Sequence, residues 1–319
     1  MRYTYRIITL NTNGIENQTR LHMLDEFIKW HDIDIALLQE VTDKEKLTCR
    51  GYHVTANVGT TGRGTAIIHK LHIQFQRIER IPSGRGIAAY LDDACIINIY
   101  APSGTAKRTE REEFFNTDIL GLLPLSPIQL IIAGDFNCVL NNKDCTGQRT
   151  SSQALHRLIN GLKLKDAWDP NINPYGFTHY TATGVTRIDR MYLSEDLICH
   201  KQGTETIAAA FTDHLAVLLR IQLATPRTLR GKGRWIMNTS FMEDPSCRRK
   251  IREEWKEWTK TIKRYLDITQ WWTQFVKKRI KRLFIQERTE QNSNRRRMED
   301  FYYSVIYDIV RQPAKMLTR

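Results

Sequence analysis

Eight apolar runs of five to seven residues punctuate the first 225 residues, and they limit the fold more than any other feature of the chain. They are RIITL (6–10), IDIALL (33–38), GTAIIH (64–69), GIAAYL (86–91), CIINI (95–99), IQLIIA (128–133), RIDRMYL (187–193) and LAVLLRI (215–221). Each is too short for a helix and is bounded by turn formers or polar residues, so each predicts a strand. Apolar residues at helical spacing, such as Leu21, Leu24, Phe27 and Ile28, predict helices over 18–30, 108–123 and 152–162. GTAIIH through CIINI follow one another with no helix between them, which argues for antiparallel pairing rather than repeated βαβ crossovers. Two mixed sheets packed face to face, with helices outside, would bury all eight runs. The expected fold is therefore α/β, a four-layer αββα sandwich.

The runs end in an unusual way. IIAGDFN carries Asp135 and Asn137 two residues apart, so both point the same way if the extended backbone persists. RIITLNTNG ends on Asn11 and Asn13, IDIALLQE on Gln39 and Glu40, and CIINIYAPSG on Tyr100, Pro102 and Ser103. Asp189 lies within RIDR, and Asp213 and His214 precede the last run. Each feature alone has an ordinary explanation: a turn, a packed aromatic, a surface His–Asp pair, or an ion pair between Asp189 and Arg187. Together they describe a site, because strand ends of a layered fold can converge on one crevice. Glu40, with Asn11 beside it, is the candidate Mg2+ ligand, since that ion favours carboxylate, water and phosphate oxygens. Asp135 is placed to take a proton from a water held by Asn137, with His214 supplying positive charge to a phosphate.

In this order, NTNG, LLQE, IYAPSG, GDFN, RIDR and TDH resemble the endonuclease/exonuclease/phosphatase superfamily, and most closely the endonuclease domain of LINE-type (non-LTR) retrotransposons. The stretch GRWIMNTSFMEDP is similar to the connector that follows the nuclease in those polyproteins, which takes the resemblance to about residue 245. The resemblance implies an αββα sandwich with a Mg2+-dependent phosphodiesterase site, Mn2+ being the alternative ion. Asn11 and Glu40 would form the metal side, and Tyr100 would contact the scissile phosphate. Asp135 and Asn137 would position and activate the water. Asp189 would orient His214, and Asp213 would complete the acidic cluster. Thr178 of FTHY would bind the DNA backbone, with Ser103 and Arg187 also on the DNA side. Thr212 stands where the family often has Ser, and Ser103 where some relatives have Asn.

The charge is divided unevenly. The first 225 residues hold 24 Lys and Arg against 24 Asp and Glu, whereas residues 226–319 hold 24 against 11 and carry the whole net charge of +13. This suggests two domains, a neutral nuclease over 1–225 and a basic extension over 226–319 whose partner is a polyanion. RTLRGKGRW reads as the linker, and amphipathic helices follow with Ile251, Trp255, Trp258 and Ile262 on one stripe and Trp272, Phe275 and Leu283 on another. The polar stretch 286–297 is expected to be disordered. YTATGVTR (180–187) predicts a hairpin turning at Thr183-Gly184.

Six cysteines without a C-x-x-C spacing read as free thiols in a reducing compartment. No run is long enough for a signal peptide or a membrane span, so the expected location is intracellular, and nuclear at the site of action. The leading function is an endonuclease that nicks duplex DNA to leave a 3′-hydroxyl for priming reverse transcription. A reverse transcriptase is expected downstream, with RNA a second candidate for the basic tail and no membrane partner. The alternatives are an abasic-site-type repair nuclease, another phosphodiesterase or phosphatase of this fold, or a decayed copy that only binds nucleic acid. Decay is disfavoured, because Glu40, Asp135, Asn137, Asp189 and His214 are all present.

Overall fold

The computed structural model describes residues 3–311 except 16, 43–46, 61, 125–127, 148–149, 169–175, 183, 224–241 and 243. The linker RTLRGKGRW, the boundary at Thr225, most of the connector-like stretch and Thr183 lie outside the described residues. The chain divides into two compact units, Met1–Thr228 and Leu229–Arg319.

In the first unit the strands are β1 (Tyr3–Asn11), β2 (Ile35–Thr42), β3 (Tyr52–Val58), β4 (Arg63–Lys70), β5 (Arg77–Arg80), β6 (Gly86–Tyr90) and β7 (Ala94–Tyr100). After them come β8 (Gln129–Asp135), β9 (Lys165–Asp166), β10 (His179–Thr181), β11 (Gly184–Thr186), β12 (Asp189–Leu193), β13 (Lys201–Ala208) and β14 (Leu215–Leu223). They form two six-stranded sheets, ordered β13-β14-β1-β2-β4-β3 and β5-β6-β7-β8-β12-β9, with β10 and β11 as a separate hairpin. Both sheets are mixed. The parallel pairs are β1–β2, joined through helix α1 (Gln18–Trp30), and β7–β8, joined through α2 (Arg108–Glu113), a π turn and α3 (Ile119–Gly121). The pairing of β6 with β7 is antiparallel as expected, but β4 belongs to the other sheet.

Alternation along the strands builds the layers. Ile7, Leu37, Ile67 and Val217 of the first sheet meet Ile87, Ile96, Ile131 and Met191 of the second in one buried core. The intervening residues Ile8, Leu10, Ala36 and Leu38 face outward onto Leu24, Phe27 and Ile28 of α1. On the far side, Ile97, Ile99, Ile132 and Tyr192 pack on Phe114, Phe115, Ile119 and on Leu155 and Leu158 of α4 (Gln153–Gly161). This is the αββα sandwich. Helix α1 begins where the Asn17 side chain accepts from the Arg20 amide as an N-cap.

The second unit consists of α5 (Pro245–Thr259), α6 (Ile268–Trp271) and α7 (Lys277–Arg311) around buried Trp258, Trp271 and Val276. Phe275 and Leu283 of the expected stripe pack against this cluster, while Trp255 and Trp272 are 38% and 40% exposed. Lys250 of α5 pairs with Glu287 of α7 at 2.7 Å. The expectation of disorder over 286–297 is corrected, because helix α7 runs through it. Gln, Glu and Arg are good helix formers, and a helix already nucleated by the packing of Val276, Ile280 and Phe284 propagates through them at little cost. No described helix is long and apolar enough to cross a membrane.

Candidate active site

One end of the sandwich collects the polar strand ends. Asn11 ends β1, Glu40 sits in β2, and Thr212, Asp213 and His214 precede β14, all from the first sheet. From the second sheet come Tyr100 at the end of β7, Asp135 at the end of β8 and Asp189 at the start of β12. Sheet register fixes three of them side by side, since Asp135 faces Tyr100 across the parallel ladder and Asp189 across the antiparallel one.

The backbone is specialised here. A bulge between Gln39 and Val41 breaks the β2–β4 ladder and puts Glu40 at φ +55°, which re-aims its side chain. Asn13 and Asn137 both have φ +48°, a left-handed conformation that Asn tolerates and Glu does not favour. Strain of this kind costs about 1 kcal/mol or more and persists where the surroundings enforce it. Gly134 has no alternative, because a Cβ there would lie 1.9 Å from the Ile99 carbonyl oxygen. That close approach is why the motif reads Gly-Asp.

Side chains from the two sheets then join. Asn11 Nδ2 donates to Glu40 Oε1 at 3.0 Å and to Asp135 Oδ2 at 2.8 Å, so one amide bridges two carboxylates. The Tyr100 hydroxyl donates to Glu40 Oε1 at 3.1 Å, and burial and Asp135 raise its pKa, keeping it a phenol. Arg63 pairs with Glu40 Oε2. Asn137 donates its backbone N–H to Asp135 Oδ1 at 2.9 Å, and its side-chain amide to Asp135 Oδ2 and the Ala101 carbonyl. Asp135 is 1% exposed, and burial, helped by Asp189, pushes its carboxyl up to about 7.

Opposite these, His214 Nδ1 lies 2.8 Å from Asp189 Oδ2, which also accepts from the Thr178 hydroxyl at 2.6 Å. Burial opposes the charged imidazolium, but Asp189, Asp135 and Asp213 outweigh it and raise His214 to about 9. Thr212 fastens the segment to β1, donating from its hydroxyl to the Asn11 carbonyl at 2.9 Å and accepting from the His214 amide at 3.2 Å. Asn13 donates to Asp213 Oδ1 at 3.1 Å.

Asn11, Glu40, Tyr100, Asp135, Asn137, Asp189, Asp213 and His214 thus form one connected group. The remaining three candidates stand differently. Ser103 is exposed and hydrogen-bonds the Tyr100 side chain. Thr178 is fully buried against Asp189, and Arg187 is tied to Asp144 at 3.0 Å and Asp166 at 2.7 Å. Gln39 turns into the inter-sheet core, where it bonds Asn98 at 2.6 Å. The sequence reasoning did not single out Arg63 or His179. His179 follows Thr178 in FTHY, and its ring stacks on His214 at 4.4 Å.

A divalent cation fits the oxygen side of this site. Glu40 and Asp135 share a bridging amide, and burial together with Asp189 raises the Asp135 carboxyl, a cost that a hard cation nearby would relieve. Glu40 would be its carboxylate ligand, with Asp135 beside it across the Asn11 amide. Asn11 presents its NH2 to them, since its Oδ1 accepts from the Asn13 amide at 2.9 Å.

The sequence pattern of the Endonuclease/Exonuclease/phosphatase family matches residues 8–214. A curated relative, the Transposon TX1 uncharacterized 149 kDa protein of Xenopus laevis, is 28% identical over 314 residues, covering 92% of this chain and 24% of the relative. The chain therefore spans about a quarter of that relative's length, and the match extends into the second unit. A variant of the 3′ phosphatase NExo from Neisseria, solved with a product DNA hairpin, is similar with a TM-score of 0.57 at 21% identity, covering 68% of this chain and 99% of that one. At that identity the likeness is one of fold.

Proposed function

This chain belongs to the endonuclease/exonuclease/phosphatase family, and from that premise we propose that it is a Mg2+-dependent DNA endonuclease that nicks one strand of a duplex and leaves a 3′-hydroxyl. The observation that carries the reading is the pairing of two opposed devices, the Glu40–Asn11–Asp135 bridge and the His214–Asp189–Thr178 chain. One suits a water and a cation, the other the charge that builds on a phosphate. Asn137 and Asp135 hold the attacking water, and Asp135 takes its proton. His214, kept cationic by Asp189, stabilises the developing oxyanion, and the Tyr100 hydroxyl turns from Glu40 to donate to a phosphate oxygen. A bound divalent cation would polarise the phosphoryl oxygen. In this scheme Asn11 sets the spacing of the carboxylates, and Thr178 fixes Asp189.

The name of the transposon relative motivates the biological setting we propose, in which the nick primes reverse transcription in the nucleus and a polymerase is expected in sequence outside this chain. A Tyr-x-Asp-Asp motif in the codons that follow would support this. The direct test is nicking of supercoiled plasmid by the full chain. Mg2+ should support it, Mn2+ should substitute, and chelation should abolish it. Products should prime a polymerase without prior phosphatase treatment; products that require the phosphatase would argue against a 3′-hydroxyl.

The β10–β11 hairpin, paired from His179–Thr186 to Thr181–Gly184, is joined to the site by a bridge from His179 to His214 and to the loop beyond β8 by one from Cys145 to Thr186. We assign it a part in choosing where DNA is cut. Replacing Ala182–Thr186 with a short Gly-containing turn is expected to redistribute cuts on sequencing gels while changing the total rate on random DNA by less than about tenfold. An unchanged distribution would reject that role.

The basic unit is assigned affinity for nucleic acid, duplex DNA first and RNA second. Lys277, Lys278, Lys281 and Arg282 are all exposed on one stretch of α7. Each phosphate contact adds about 0.9 to the slope of log affinity against log salt on duplex DNA. Changing all four to Gln in the full chain should flatten that slope by about 3.6 if all four touch phosphate. Coincident slopes in a salt titration would show that these residues bind something else.

A further inference from the structure

The two oxygens of Glu40 are engaged in different ways. Oε1 accepts from the Asn11 amide at 3.0 Å and from the Tyr100 hydroxyl at 3.1 Å, whereas Oε2 is paired with Arg63. Asn11 and Tyr100 are buried, at 1% and 7% exposed, but 43% of the Arg63 side chain is open to solvent. A cation arriving from solvent therefore meets Oε2 first, and Arg63 already holds it. Guanidinium and divalent ion exclude each other there, because both bring positive charge to one carboxylate oxygen and like charges repel.

Arg63 is placed to move. It is the first residue of β4, next to a turn in which Gly62, at φ +75°, donates its N–H to the Gly59 carbonyl at 3.0 Å. Ion pairs open to water on one side contribute a factor of no more than about five to an equilibrium, so releasing Arg63 costs little. A freed guanidinium on this rim suits a phosphate, which its fork grips with two parallel donors. Burial and Asp135 raise the Tyr100 phenol while Arg85 and Arg63 oppose them, so Arg63 lies within electrostatic reach of the hydroxyl assigned to the scissile phosphate.

We propose that Arg63 is a displaceable counter-ion: it occupies Glu40 in the free protein, yields that carboxylate to the divalent cation, and then holds a phosphate of the DNA backbone. Metal and DNA thereby assist each other, since each draws away one half of the Arg63–Glu40 pair. The displacement rests on the reading of Glu40 as the carboxylate ligand of that cation.

The experiment uses the full chain and Mn2+, which takes the same oxygen donors as Mg2+ and whose free concentration is read by electron paramagnetic resonance. Glu40→Gln should weaken Mn2+ binding at least about tenfold, which tests the metal reading by itself. Arg63→Gln removes the competing charge and should tighten Mn2+ binding about threefold or more in the absence of DNA. Arg63→Lys keeps the charge and should stay nearer the wild type. Duplex affinity is then titrated against salt in a His214→Ala background that blocks cutting, once with Mn2+ and once with a chelator, and melting curves confirm folded protein. With Mn2+, Arg63→Gln should flatten the slope of log affinity against log salt by about 0.9, the share of one phosphate contact. With the chelator the change should be smaller, because Glu40 then competes for Arg63. Mn2+ affinity that is unchanged or weaker in Arg63→Gln, while Glu40→Gln behaves as expected, overturns the displacement and leaves the metal reading standing. An equal change of slope with and without Mn2+, or none in either, overturns the transfer of Arg63 to phosphate. If Glu40→Gln leaves Mn2+ binding intact, the metal reading fails and the displacement falls with it.

Discussion

Asp135→Asn is expected to lower the rate of plasmid nicking about a thousandfold while leaving the fold intact. The size follows from the role: a positioned base contributes about 10² to 10⁴, and Asp135 also faces the cation side through Asn11. The substitution keeps the volume and one acceptor for the Asn137 amide. It turns an NH2 toward Asn11 or Asn137, a local cost on the order of 1 kcal/mol. A melting curve near that of the wild type together with lost nicking would support catalysis; loss of less than tenfold would remove Asp135 from the chemistry.

The pH profile tests the same assignment from a second direction. Activity needs Asp135 ionised and His214 protonated, which predicts a bell with an acid limb below about 7 and a basic limb near 9. A bound divalent cation stabilises the carboxylate, so raising the Mg2+ concentration should move the acid limb down and leave the basic limb in place. Asp189→Asn removes the first group that opposes burial at His214, and the basic limb should fall. The stability sign is consistent with this. The folded pKa of His214 is raised, so its pairing with Asp189 contributes fully below about 6.5 and is lost as pH rises through about 9. A basic limb that stays put in Asp189→Asn would mean that another group sets it.

The strand ends were legible because catalytic polar groups interrupt apolar runs, and the sandwich places those interruptions on one rim. Elements with weaker apolar contrast were missed. Strand β3 is half-buried along nearly all its length, and β13 (KQGTETIA) has a polar, partly exposed sequence. In such strands cross-strand partners decide the structure more than local pattern does. Roles inside a motif were harder to read than the motif itself. RIDR presents Arg187, Asp189 and Arg190 as similar charged residues, yet only Asp189 reaches His214. Nothing local marks Arg187 as bound to Asp144 and Asp166, which lie 43 and 21 positions away. Arg63 on Glu40 escaped notice for the same reason, since a bulge 23 positions earlier brings them together.

Those distant carboxylates lead to the largest expected loss of stability, about 3 to 5 kcal/mol for Asp144→Ala. The Arg190 side chain is fully buried, with one terminal nitrogen 2.7 Å from Asp144 and the other 3.2 Å from Asp166. Arg187 spans the same two carboxylates. Asp144 also accepts from the amides of Leu140 and Asn141, so it closes the loop beyond β8 as well. Removing it leaves a buried guanidinium with one partly exposed partner, and guanidinium does not escape by losing its proton. Removing both charges should be milder, because the cost lies mainly in the unpaired ion. Asp144→Ala combined with Arg190→Met is therefore expected to be more stable than Asp144→Ala alone, as measured by urea denaturation. The effect should also depend on acid. Burial opposes ionisation of Asp144, but Arg190 and Arg187 outweigh it and lower its pKa. Its contribution is thus present above about 3.9 and lost as pH falls through the lower folded value, so the penalty should shrink there. Equal stability of wild type and Asp144→Ala at neutral pH would show that this cluster does not anchor β12, and with it Asp189, in the way the geometry requires.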